Sequence, residues 1–112
     1  MEQKDLGKSS TGMQANLAAL LSYLLGFITG IIFYIIEKEN KFVRFHAMQS
    51  IVTFGFLFVL GIILPFIPVI GWVVLPFLWV LQVVLWVILM IKAYQGESFK
   101  LPIVGDIAEK NS

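Results

Sequence analysis

The stretch NKFVRFHAMQS, residues 40–50, decides how the chain folds, because nearly continuous apolar sequence surrounds it on both sides. It holds the only Arg and the only His of the chain. Unpaired charges are unstable in hydrocarbon, so such a stretch marks where a membrane-embedded chain reaches water and turns back. Residues 37–45 therefore predict a loop, in which Phe42 and Phe45 flank Arg44 as in a short helix at headgroup depth.

The composition indicates that lipid is the solvent of this chain. Hydrophobic residues make up 59% and charged residues 13%, whereas a soluble domain is about 45–50% apolar and about 25% charged. A chain of 112 residues cannot hide that excess in one core. We therefore expect one all-α, polytopic membrane domain, and the absence of Cys excludes disulfides and thiolate chemistry.

Three long uncharged segments predict three transmembrane helices, over residues 15–36, 46–64 and 72–91. Residues 65–71, PFIPVIG, connect the last two with two Pro and one Gly. We expect a turn at the far interface, with a re-entrant turn as the alternative. Residues 1–14 predict a mobile tail and residues 95–112 an interfacial C-terminal segment with a frayed end. No internal repeat is evident.

Small residues recur at every fourth position of the first predicted span, at Ala18, Ser22, Gly26 and Gly30. On one continuous helix they would form a stripe where a second backbone can approach closely. The pattern predicts a helix-packing face, and the partner helix can belong to this chain or to a second copy.

A polar face is predicted where the second span enters the membrane. It comprises Arg44, His46, Gln49, Ser50 and Thr53. The last four lie at helical offsets of three, four and seven, so they share one side of a helix. Such a face should contact protein or a water-filled recess rather than lipid. We expect His46 to cap or hydrogen-bond at the wetted interface, with proton sensing as the alternative.

No constellation in the sequence indicates catalysis. One His near Glu37 and Glu39 falls short of the three or four ligands that a zinc site needs. Arg44 and Lys41 can attract lipid phosphates, and Gln82 can hydrogen-bond across helices to Gln49 or Thr53. We therefore expect no enzyme, no metal and no cofactor. The expected partners are the lipid bilayer, a second copy or other membrane proteins, and not nucleic acid.

The basic residues predict an orientation in the cell membrane. Three spans place the first loop and the C-terminus on one side, together with Lys38, Lys41, Arg44, Lys92, Lys100 and Lys110. The other side would hold only Lys4 and Lys8. Because cytoplasmic loops are enriched in Lys and Arg, this side is predicted to be cytoplasmic and the N-terminus external.

Two segments resemble a known family, FVRFHAMQS at residues 42–50 and QGESFKLPIVGDIAEK at residues 95–110. They are similar to small prokaryotic membrane proteins related to the Tic-twenty component of the chloroplast inner-envelope import machinery. The matching positions are Phe45, His46, Gln49, Ser50, Leu101, Pro102 and Gly105. The resemblance implies an uncharacterised membrane protein. The chloroplast members have four spans and contribute to a protein-conducting channel. The resemblance therefore also implies a link to such a channel.

The sequence thus predicts a non-enzymatic helix-packing or interaction component of the membrane. The alternative is a subunit of a small transporter, channel or protein-translocation assembly, in which the polar face would line a pathway.

Overall fold

The computed structural model describes residues 12–112, so most of the predicted N-terminal tail lies outside the described residues. This part of the chain forms helices α1 (Ala15–Leu24), α2 (Phe27–Ile36), α3 (Lys41–Ile63), α4 (Ile70–Tyr94) and α5 (Val104–Lys110). A short 3-10 helix, Leu64–Phe66, extends α3. The all-α prediction is confirmed for these residues.

Two helices, rather than the predicted three, are long and apolar enough to cross a membrane. Lys41–Phe66 comprises 26 residues and Ile70–Tyr94 comprises 25. At about 1.5 Å per residue, each reaches roughly 37 Å, more than the hydrocarbon core of about 30 Å. The single first span predicted for residues 15–36 is wrong, because α1 and α2 have 10 residues each.

The chain reverses direction between α1 and α2. Gly26 has a φ of 64°, a conformation that glycine adopts without steric cost. The Thr29 hydroxyl accepts a hydrogen bond from the Leu25 amide at 3.1 Å and donates to the Ser22 carbonyl at 3.2 Å. This side chain therefore bridges the two arms of the turn.

Contacts with α4 show which way α1 runs. Asn16 Nδ2 donates to the Tyr94 carbonyl at 3.0 Å, at the end of α4. Further along, Trp86 Nε1 donates to the Tyr23 carbonyl at 2.8 Å. Helix α1 therefore begins beside the C-terminal end of α4 and runs about 12 Å inward, as eight residues separate Trp86 from Tyr94.

Helix α2 returns along α3 to the end where α1 began. The Ser50 hydroxyl donates to the Gly26 carbonyl at 2.8 Å. Phe33, one turn before the end of α2, packs in one buried cluster with Ala15 and Val43. The first described residues, the loop of residues 37–40 and the C-terminus thus share one end. The predicted placement of the N-terminal side opposite the C-terminus is wrong for the described residues.

Helix α3 begins five residues earlier than predicted, at Lys41 rather than His46. The Asn40 side chain accepts a hydrogen bond from the Val43 amide at 3.1 Å, which caps the helix by satisfying an otherwise unpaired donor. The loop is therefore residues 37–40, and Arg44 lies in the first turn of α3. Helix α4 also extends beyond its prediction and contains Pro76.

Two turns share one sequence pattern and one geometry. IPVIG at residues 67–71 precedes α4, and LPIVG at residues 101–105 precedes α5. The third residue of each has a positive φ, 65° at Val69 and 68° at Ile103. In each, the next amide bonds back to the proline carbonyl at 2.7 Å. Such γ-turns are rare, and β-branched residues seldom adopt them.

The buried core lies at the charged end of the molecule. It comprises one cluster of Ala19, Tyr23, Phe54, Leu57, Leu89 and Ala93 and a second of Ala15, Ala18, Phe33, Val43 and Ala47. Residues 45–91 carry no charge. The short α1–α2 hairpin covers α3 and α4 over only about half of their length, because ten helical residues span about 15 Å.

Candidate functional site

A polar clamp, formed by Tyr23, His46 and Gln49, lies inside the charged end. All three side chains are fully buried. Gln49 Nε2 donates to Tyr23 Oη at 3.0 Å, and Tyr23 Oη lies 2.6 Å from His46 Nδ1. The Tyr23 hydroxyl carries one hydrogen, which is free to be donated to His46. This arrangement assigns the imidazole proton to Nε2.

The polar clamp holds the backbone that follows α4. His46 Nε2 donates to the Glu97 carbonyl at 2.8 Å. Gln49 Nε2 also donates to the Phe99 carbonyl at 2.9 Å, and Gln49 Oε1 accepts from the Leu101 amide at 3.1 Å. Two side chains of α3 thus satisfy three backbone groups of an irregular segment. Without these bonds the three partly buried groups would lose their partners, at a cost in the free energy of unfolding.

Arg44 ties the end of the chain to the same side of the molecule. Its Nη1 donates to the carbonyls of Tyr34 at 3.0 Å and Glu37 at 2.7 Å, and its Nε donates to the Ser112 carbonyl at 3.2 Å. The guanidinium lies 4.1 Å from the Tyr34 ring centroid. The frayed end predicted for the C-terminal segment is wrong, because its last residue is bonded to α3.

The structure separates the predicted polar face into different environments. His46 and Gln49 belong to the polar clamp, so the wetted corner predicted around His46 is wrong. Ser50 bonds to the α1–α2 turn. Thr53 is 5% exposed, and its hydroxyl has no hydrogen-bond partner within residues 12–112. Gln82 bonds to neither Gln49 nor Thr53, so the predicted cross-helix pair does not form.

The predicted small-residue stripe is divided between two helices, because the chain reverses at Gly26. Ala18 and Ser22 are fully buried on α1. Gly30 on α2 lies against α3, where an added Cβ would stand 2.9 Å from the Ala47 carbonyl oxygen. The partner of Gly30 is therefore α3 of the same chain.

The C-terminal motif positions α5. Leu101 is held by Gln49, Pro102 forms the γ-turn, and a Cβ at Gly105 would collide with the Lys100 side chain. Lys100 Nζ pairs with Glu109 at 2.6 Å and with Asp106 at 3.8 Å. The hydrogen bond to Glu109 raises the pKa of the Lys100 amine above its ordinary value.

Sequence reasoning missed Tyr23, which occupies the centre of the polar clamp. Its hydroxyl is a rare polar group inside an apolar run, and that was the available signal. A buried tyrosine hydroxyl needs a hydrogen-bond partner. The partners lie 23 and 26 residues away, so no local spacing could identify them.

The sequence model of the magnetosome magnetite crystal formation protein family (MamF/MmsF) matches residues 8–108. The chain belongs to this family. A relative from Methanocaldococcus jannaschii, named a UPF0132 membrane protein, is 55% identical over 107 residues, 96% of each chain. An Archaeoglobus fulgidus UPF0132 membrane protein is 53% identical over 98 residues, 88% of this chain and 95% of the relative. No solved structure matches.

As a member of the MamF/MmsF family with UPF0132 relatives, the chain is a membrane protein of an uncharacterised family. The expectation of an uncharacterised membrane protein, which the resemblance implied, is therefore confirmed. Neither the family description nor these relatives names the Tic-twenty component, so the narrower resemblance stays a prediction.

Replacing Thr53 by Val is expected to raise the free energy of unfolding by about 1 kcal/mol, because it removes a buried hydroxyl that has no partner. The matched control, Ser50→Ala, loses the bond to the Gly26 carbonyl. This change should lower the free energy of unfolding by about 1 kcal/mol. Denaturant unfolding in detergent measures both. Equal losses for the two variants would show that the Thr53 hydroxyl is paired.

Proposed function

We propose that this chain is a non-enzymatic, multi-pass component of the cell membrane that acts through packing and interaction inside the bilayer. In this proposal α3 and α4 cross the bilayer, while the α1–α2 hairpin enters from the charged end and returns to it. The lengths of these helices support the arrangement, as does the exposure of Trp72, Phe77 and Trp79 on α4, at 69%, 71% and 62%. In water this apolar surface would be costly.

The single observation that carries the proposal is the closure of the polar clamp. Tyr23, His46 and Gln49 are side chains that often take part in catalysis or binding, and each bonds to another of the three or to the backbone. They are also fully buried. Groups held in this way support an architectural role, since a catalytic group must reach its substrate.

The charge distribution supports an orientation with the charged end in the cytoplasm. Every charge within residues 12–112 lies in residues 37–44 or 92–110. The six basic residues there follow the rule that cytoplasmic segments are enriched in Lys and Arg. In this orientation Met13, at the start of the described chain, is cytoplasmic as well.

Single-cysteine labelling tests this topology without background, because the chain contains no Cys. An impermeant maleimide should modify Met13→Cys, Glu39→Cys and Ser98→Cys from the cytoplasmic side, and Val69→Cys from the outside. A three-span arrangement would instead place Met13→Cys with Val69→Cys. Labelling of Met13→Cys from outside, or release of the protein by carbonate, would contradict the proposal.

A transporter, channel or translocation subunit is the alternative function. It requires polar side chains along a pathway, whereas His46, Gln49 and Ser50 are bonded within the chain. Solute or proton flux into proteoliposomes, abolished by His46→Ala while the protein remains folded, would favour this alternative over the packing role.

A further inference from the structure

The tip of the α1–α2 hairpin lies in the apolar part of the molecule. Leu24, Leu25 and Ile28 at the tip are exposed, Leu25 by 64%. The bond from Trp86 to the Tyr23 carbonyl places the tip about 12 Å below the end of α4. Irregular backbone at that depth is tolerated only where protein or a water-filled cavity covers it. Nothing in residues 12–112 covers the outer side of this tip.

Two polar groups beside the tip are unpaired. The Leu25 carbonyl lies in the turn before α2, which begins at Phe27, so no amide of α2 bonds to it. It accepts no hydrogen bond within residues 12–112. Gln82 lies one helical turn below Trp86, near the middle of the hydrocarbon, and its amide makes no hydrogen bond in the same part of the chain. Lipid chains can cover the leucines, but they cannot bond to a carbonyl or an amide.

One open cavity of about 480 Å³ joins these groups. Leu25 and Gly26 form its edge on the hairpin side, and Gln82 and Val83 form its edge on α4. Phe54 and Phe58 of α3 line the remaining wall. Most of this lining is apolar, so water could bond only to the two polar groups at its edges. A protein partner can cover the apolar lining and bond to both polar groups at once.

The geometry points to a second copy of this chain as the occupant, in a two-fold dimer that buries the hairpin tip. The surface is self-complementary, because Gln82 supplies donors and the Leu25 carbonyl supplies an acceptor. In a two-fold interface the same patch meets itself, so each Gln82 amide nitrogen donates to the partner's Leu25 carbonyl. This inference rests on the proposed membrane topology and assigns the surface through which the component self-associates.

Energy transfer between copies of the full chain labelled at Ser98→Cys, in liposomes at a series of protein-to-lipid ratios, measures the dimer. Gln82→Leu is expected to raise the dissociation constant about tenfold, since it removes two symmetric interhelical hydrogen bonds. Val80→Leu, an exposed change on a different face of the same helix and outside the cavity, should leave the dissociation constant within about twofold of the wild-type value. A monomeric wild type, or an unchanged constant for Gln82→Leu, would overturn the inference.

Crosslinking in native membranes supplies a second measurement. Copies carrying Leu25→Cys, co-expressed with copies carrying Val83→Cys, should form a disulfide-linked dimer on oxidation. Val80→Cys in place of Val83→Cys should not. Crosslinking of Leu25→Cys only to another polypeptide would overturn the assignment of a second copy. The labelling of Met13, Glu39, Ser98 and Val69 does not depend on dimerisation, so a failed topology and a failed dimer give different results.

Discussion

Replacing Gln49 by Leu is expected to lower the free energy of unfolding by about 4 kcal/mol, the largest effect of any single change in the polar clamp. The Leu side chain fits the apolar surroundings, but it leaves the Phe99 carbonyl and the Leu101 amide without their partner. Tyr23 also loses a donor. A buried group left unpaired costs about 1–3 kcal/mol; the Tyr23 hydroxyl is fully buried and the two backbone groups are partly buried. Denaturant unfolding in detergent, followed by circular dichroism, measures the loss.

The neighbouring variant Met48→Leu is the control for Gln49→Leu, because it changes a side chain outside the clamp and should cost less than about 1.5 kcal/mol. Hydrogen exchange separates a local effect from a global one. Relative to the wild type, Gln49→Leu should increase the exchange rates of the amides of residues 97–101 more than those of α4. If the amides stay protected and the stability is unchanged, the clamp does not hold the C-terminal segment.

Replacing Gly71 by Ala is expected to lower the free energy of unfolding by about 3 kcal/mol. The added Cβ would collide with the carbonyl oxygen and carbon of Leu64, so the backbone itself must move. Overpacking of this kind typically costs about 1–3 kcal/mol, and no flexible side chain is present to absorb it. The collision lies in the connection between the two long helices, so thermal unfolding in detergent should show a clear loss.

Gly61→Ala provides the matched control on α3, where an added Cβ meets nothing within 4 Å. Alanine favours a helix over glycine by about 1 kcal/mol, so this variant should be neutral or more stable. Opposite signs for Gly71→Ala and Gly61→Ala are the expected result. Equal effects would mean that the turn of residues 67–71 is not packed as described.

The asymmetry of the fold follows from where the polar groups lie. The clamp, the Arg44 contacts and both buried clusters are at the charged end. At the other end, within residues 12–112, α3 and α4 contact each other and the turn between them. We therefore expect stability to depend on the charged half, and the apolar half to be available for lipid or for a partner.

Composition and uninterrupted apolar runs determined the membrane character, the helical class and the two long helices, because hydrophobicity and helical rise are local properties. The mixed polarity of residues 40–50 likewise identified two of the three side chains of the polar clamp, His46 and Gln49. Local patterns could not show that the first apolar run reverses at Gly26, because glycine also occurs inside continuous membrane helices. That reversal depends on the bonds of Thr29 and Ser50 and on packing against α3.

Only the tertiary structure decided what the polar residues do. His46 meets Tyr23 and Glu97 across 23 and 51 positions of sequence, and separations of that size leave no periodic signal. The apolar run of residues 15–36 is long enough to cross a bilayer, and its length alone predicts a crossing. Folded as two arms of ten residues, the same run reaches only about halfway, and this brings Tyr23 to His46 and Gln49.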